Sequence, residues 1–149
     1  MVAESCETLA GRAEVGTSVA VRLDRQGPAL VAFLALTVPG LGSIEVEVDM
    51  GSDVLILDAR HASAVGIRLD DRVIRRVEGK DETGHAYVRS FTRLDDTIHV
   101  TGAPDVEQSG MEVMFQEIVY DGLTGDGFLR RFVVTHDVPG ERMIFAPHD

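Results

Sequence analysis

Ile44-Glu45-Val46-Glu47-Val48-Asp49-Met50-Gly51-Ser52-Asp53-Val54-Leu55-Ile56-Leu57 is the stretch on which the reading of this chain turns. Ile44 to Val48 alternates apolar and acidic residues with period two, the mark of a strand with one buried and one wetted face. Val54 to Leu57 is apolar again, so residues 49 to 53 must form a tight loop between two packed strands. Asp49 would present its carboxylate on that loop. Gly51 lets backbone approach closely, and Ser52 offers a hydroxyl to a neighbouring carboxylate. Asp is also common at strand ends for its own sake, because its side chain bonds the local backbone. The segment alone leaves both readings open.

Outward from it, short β-type runs recur between Gly, Pro and Asp clusters. Upstream, Ser18 to Leu23 alternates and meets a turn at residues 24–28, and Leu30 to Val38 is a longer apolar strand ended by Pro39-Gly40. Downstream, Val73 to Val77 and Tyr87 to Phe91 flank Asp81-Glu82-Thr83-Gly84, a hairpin tip. Further strands are expected over Thr97–Thr101, Met111–Val119, Arg131–Thr135 and Arg142–Ala146. Helix signals are two: Ala59 to Val65, N-capped by Asp58 and closed by a left-handed Gly66, and a short helix from Asp126 carrying Phe128, Leu129 and Phe132 on one face. Many short strands with frequent turns predict an all-β sandwich or barrel instead of a βαβ sheet. Residues 1–16 read as a flexible lead-in and 17–149 as one domain, without internal repeat or linker.

Composition narrows the function classes. The 149 residues carry 25 acidic and 14 basic side chains, a formal net charge of −11. Such a surface repels phosphate, so neither nucleic acid nor anionic membrane is an expected partner. The single cysteine, Cys6, cannot form an internal disulfide. The N-terminus carries Glu4 and Glu7 where a secretory signal would be basic. No apolar run approaches the roughly 18 residues that span a bilayer. A cytoplasmic location is the expectation.

The segment from Val46 to Leu57 resembles the active-site loop of retropepsin-like aspartic proteases, whose motif is two apolar residues, Asp, Thr or Ser, Gly, then Ala or Ser, followed by an apolar strand. Ala59 to Ile67 is similar to the element that follows in that family, ending on Val65-Gly66-Ile67. Tyr120 to Leu129 resembles the second family landmark, where two mostly apolar residues and a Gly, here Leu123-Thr124-Gly125, precede a helix that packs behind the catalytic loop. The resemblance covers roughly residues 17 to 147, and the order and spacing of its motifs match the bacterial single-domain members. It implies a small closed barrel with one or two short helices. It also implies Asp49 as the catalytic carboxylate, with Met50, Gly51 and Ser52 as the supporting loop, and Gly79, Asp81, Glu82, Thr83 and Gly84 as a flap over a peptide or protein substrate. Hydrolysis in that family uses two carboxylates about 3 Å apart sharing one proton. One activates a water while its protonated partner polarises the scissile carbonyl. Asp121-Gly122 lacks the hydroxyl residue and preceding strand, and Asp137 runs into Val138-Pro139. The dyad therefore implies a homodimer with Asp49 from each chain. No cofactor is implied.

Met50 departs from the pattern, standing where the family has a Thr or Ser that hydrogen-bonds across the dimer; a thioether cannot donate that bond. Two function classes follow: a homodimeric aspartic endopeptidase, or a catalytically inactive retropepsin-like dimerisation or peptide-binding module. A third reading is an all-β barrel whose likeness is coincidental. Other chemistry finds little support. The five histidines (61, 85, 99, 136, 148) lack the close pairing of a zinc helix, and no metal site is expected. Gly122 to Gly127 is followed by no Gly-Lys-Ser/Thr, and a calcium loop begun at Asp121 would end on Phe132 instead of Glu. Asp70-Asp71 and Asp95-Asp96 read as solvated turns, and the lone serines have no nucleophile-elbow context.

Overall fold

A computed structural model describes residues 15–148; Cys6 and most of the expected lead-in lie outside these residues. The chain is all-β, with eleven strands: β1 Thr17–Ala20, β2 Arg22–Gln26, β3 Ala29–Val38, β4 Gly42–Val48, β5 Leu55–Asp58, β6 Arg75–Lys80, β7 Ala86–Val100, β8 Ala103–Gln116, β9 Gly122–Thr124, β10 Phe132–Asp137 and β11 Arg142–Pro147. Two sheets form. A large one runs β2-β3-β4-β9-β5-β8-β7-β6, and a small one runs β1-β11-β10. β3 also pairs with β7 through Leu36–Val100 and Thr37–His99, which closes six strands of the large sheet into a ring. β2 and β6 stay outside it as edges. No helix among the described residues is long and apolar enough to cross a membrane.

Period-two patterning fills the ring. Leu34, Leu36 and Val38 of β3 and Ile44 and Val46 of β4 point inward, while Glu45 is exposed on the opposite face. Leu55, Leu57, Ile98, Val100, Val113 and Phe115 complete the interior, and Met143 and Phe145 of the small sheet join the same core. Each large side chain buried this way contributes about 1.5–3 kcal/mol relative to exposure.

The structure redraws several expected elements. Ser18 to Leu23 is not one strand: the chain changes sheets at Val21, whose N–H donates to the Glu141 carbonyl, so β1 joins β11 and β2 joins β3. Asp95-Asp96 is no turn but an exposed bulge inside the long β7, where the register with β8 shifts between Leu94 and Thr97. β8 begins at Ala103, eight residues before the expected strand: it tolerates Pro104 near its start and passes through Gly110, at a left-handed φ of 60°, opposite the β7 bulge. Ala59 to Val65 forms two successive 3₁₀ turns instead of an α-helix. Neither turn buries a residue to the core that would stabilise a regular helix, although Asp58 caps the first and Gly66, at φ 77°, closes the second as expected. The second helix, here α1, is short, Asp126–Leu129, and buries Phe128 and Leu129. Phe132 belongs to β10 and meets Phe145 edge-on at 6.0 Å.

Thr124 reports on how tightly this interior is packed. Its hydroxyl is fully buried without a hydrogen-bond partner among the described residues. A buried orphan hydroxyl costs free energy that an isosteric methyl does not. Thr124→Val should therefore leave the fold intact and raise its stability by up to about 1 kcal/mol. The midpoint of urea denaturation measures this, and a lowered midpoint would mean the hydroxyl has a partner.

Candidate active site

The Asp49 loop is built by a parallel pairing between sequence-distant strands. β4 and β9 run side by side, with Val46 opposite Gly122 and Val48 opposite Thr124. At the end of that ladder the Asp49 N–H donates to the Thr124 carbonyl at 2.8 Å. The chain then turns sharply: the Ser52 N–H donates to the Asp49 carbonyl at 3.0 Å and the Gly51 N–H to Asp49 Oδ1 at 2.9 Å. The carboxylate is thus exposed yet oriented by its own turn. Ser52 does not bond a carboxylate, as the sequence suggested; its hydroxyl donates to the Val54 carbonyl at 2.7 Å and braces the loop's exit.

Two glycines let the second landmark pack beneath. A Cβ on Gly125 would collide with the Asp49 carbonyl and lie 2.6 Å from that of Ser52, and one on Gly127 would collide with the Asp53 carbonyl. Gly125 also accepts the Phe128 and Leu129 N–H groups of α1 through its carbonyl. Asp49, Gly51, Ser52, Thr124 and Gly125 are therefore brought together. Leu123 pairs with Ile56 across β9–β5, half-buried beside them. Met50 caps the turn with 51% of its surface exposed.

Gly79, Asp81, Glu82, Thr83 and Gly84 cluster elsewhere, at the tip of the β6–β7 hairpin. Asp81 organises this tip. Its Oδ1 accepts from the Thr83 N–H at 2.9 Å, the Thr83 hydroxyl at 2.7 Å and the His85 N–H at 2.9 Å. The Thr83 hydroxyl, and after it the backbone donors, hold the Asp81 carboxyl below its usual range. Gly79 makes room for the Tyr87 ring, whose hydroxyl would lie 2.6 Å from a Cβ there. Glu82 is exposed. A cavity of about 800 Å³ is lined by Asp81, Tyr87 and Arg89 of the hairpin together with Leu69, Gln116 and Glu117, and Arg89 Nε donates to Gln116 Oε1 at 3.1 Å within it.

Sequence reasoning missed two features. Glu47 lies near the end of β4, two residues before Asp49, and burial, followed by the Asp49 carboxylate, pushes its carboxyl above the ordinary range. The Glu45-Glu47-Asp49 alternation carries that signal. The second is a brace under the loop preceding β9: Asp121 Oδ1 takes Arg60 Nη2 at 2.8 Å and His61 Nε2 at 2.9 Å, while buried Asp58 accepts from the Arg60 and Ile118 N–H groups. Burial acts to raise the Asp121 carboxyl, but the Arg60 and His61 hydrogen bonds outweigh it and leave it lowered. Asp137 is likewise structural, bound by Arg142 Nε at 2.6 Å in the β10–β11 turn.

No protein-family model matches this sequence, and no curated protein sequence matches it. Among solved structures the fold is similar to the crystal structure of a retropepsin-like aspartic protease from Rickettsia conorii, at a TM-score of 0.63 and 15% identity over 87% of this chain and 90% of that one. The class defined is structural: an all-β, retropepsin-like fold. At that identity the likeness concerns the fold alone.

Because the folded Asp81 carboxyl is lowered, its bracing of the hairpin tip is complete above the ordinary value of 3.8 and fades as pH falls through the lower folded value. Between pH 4 and 7 the tip should stay closed on itself. Asp81→Ala removes three hydrogen bonds there, and amide exchange at Thr83 and His85 should speed up by roughly tenfold or more at pH 6. Unchanged exchange would show that the strands alone hold the tip.

Proposed function

We propose that this chain is one protomer of a homodimeric aspartic endopeptidase whose carboxylate dyad is Asp49 from each of two copies. One observation carries the reading. An exposed carboxylate sits on a turn locked by four hydrogen bonds and underlain by a glycine that nothing larger can replace. A catalytic carboxylate needs that combination of access and fixed orientation. In the dimer, two such groups cannot both ionise at close range, so one would activate a water and the other would stay protonated to polarise the scissile carbonyl. The β6–β7 hairpin would serve as the flap, closing over a peptide and excluding water. The cavity lined by Tyr87, Val88 and Arg89 would then face substrate. Leu123, Thr124 and Gly125 support the Asp49 loop from behind.

Met50 favours a second reading, a catalytically inactive module of the same fold that dimerises or binds peptides. With a thioether in place of a hydroxyl, the two loops have no hydrogen bond to stiffen them against each other. Met50→Thr separates the classes, because a cleavage gained only in that variant marks a decayed enzyme.

The test of the first reading is hydrolysis of a mixed peptide library between pH 4 and 7. Wild type should cut, with a bell-shaped pH profile and sensitivity to a statine-type inhibitor. Asp49→Ala should fall by about a thousandfold or more, to background. A folded, dimeric wild type that cuts nothing would sink the peptidase and leave the binding module.

A further inference from the structure

Four methionines lie within the described residues, and three of them are sealed in the core: Met111 is 8% exposed, Met114 6% and Met143 0%. Met50 is 51% exposed, directly after the Asp49 carboxylate. The turn that carries it is held on both sides by the Asp49–Thr124, Gly51–Asp49, Ser52–Asp49 and Ser52–Val54 hydrogen bonds, so the thioether sits exposed on a hydrogen-bonded turn. Oxidation of methionine follows access, and the sulfoxide turns a flexible apolar side chain into a polar one.

We propose that Met50 is a reversible oxidation site that switches the Asp49 loop between a self-associating and a dissociated form. The association half of this statement rests on the twofold reading above. The occupant of the Met50 face is a second copy of this chain. Each copy carries a net charge of −11, so two copies repel at long range, and an uncharged apolar contact at the loop offsets that repulsion. The Met50 thioethers supply that contact. A two-electron oxidant of the hydrogen peroxide class reaches Met50 in the free chain. The sulfur lone pair attacks one peroxide oxygen, the O–O bond breaks and an S–O bond forms. Sulfur is oxidised by two electrons, and the other peroxide oxygen leaves as water after proton transfer. The product exposes an S=O dipole that a second apolar Met50 cannot satisfy, so oxidised chains accumulate apart. Methionine sulfoxide reductase, with a thiol as reductant, reverses the step.

The experiment treats the full chain with dilute hydrogen peroxide, maps methionine oxidation by peptide mass spectrometry, and measures self-association by sedimentation before and after. Met50 should be modified about tenfold faster than Met111, Met114 or Met143. The dimer dissociation constant should rise by about tenfold or more and return after reductase treatment. Met50→Leu keeps the apolar bulk and cannot form a sulfoxide, so its association should ignore peroxide. It retains Met1 and Cys6, and an effect arising at either would appear in this variant too. Equal oxidation of the core methionines would overturn the selectivity. A dimer that persists with Met50 fully oxidised would overturn the switch while leaving the twofold reading standing. An unoxidised chain that sediments as a monomer at every concentration would overturn the twofold reading itself.

Discussion

The parallel contact between β4 and β9 is the constraint on which the site depends. Residues 46–48 and 122–124 are far apart in sequence, so closing them side by side orders a long intervening chain. That cost is met by the core that the ring of strands encloses, from Leu34 on β3 to Phe115 on β8. Once closed, the ladder places the Thr124 carbonyl in line with the Asp49 N–H, and the direction of the Asp49 turn follows. Gly125 and Gly127 then permit a backbone-to-backbone approach that no side chain would survive. The geometry around Asp49 is thus a product of the whole ring and not of the local motif.

Much of the loop was legible because its chemistry is local. Alternation through Ile44 to Val48 marked β4, and the Asp-Met-Gly-Ser run marked the turn; both are patterns within ten residues. The hairpin tip was legible for the same reason, and its acidic residue Asp81 proves to be the tip's own brace. The partner of the loop was harder. Residues 122–124 are only three strand positions, too few to show a period, and only resemblance to a family landmark singled them out.

What escaped sequence reading escaped for physical reasons. A bulge lets a strand continue through residues that would otherwise be turn formers, so Asp95-Asp96 and Ser109-Gly110 disguised β7 and β8 as shorter pieces. A strand that changes sheets keeps its alternation, so nothing local separates β1 from β2. The brace of Arg60, His61 and Asp121 joins two segments about 60 residues apart, a pairing that exists only after folding. Low identity beside a shared fold has the same origin: backbone contacts and buried shape can be kept by many side-chain choices.

The two strands left outside the ring have a consequence for solubility. β2 presents Arg22, Asp24 and Arg25, and β6 presents Arg75, Arg76, Glu78 and Lys80. Unpaired strand edges are templates for runaway growth, since any extended chain can add to them. A like edge brought alongside would have to crowd and desolvate these charged side chains, which discourages fibre-like stacking without any covering element. The ring can therefore stay open at both flanks, at β2 and at β6, and still resist edge-to-edge growth.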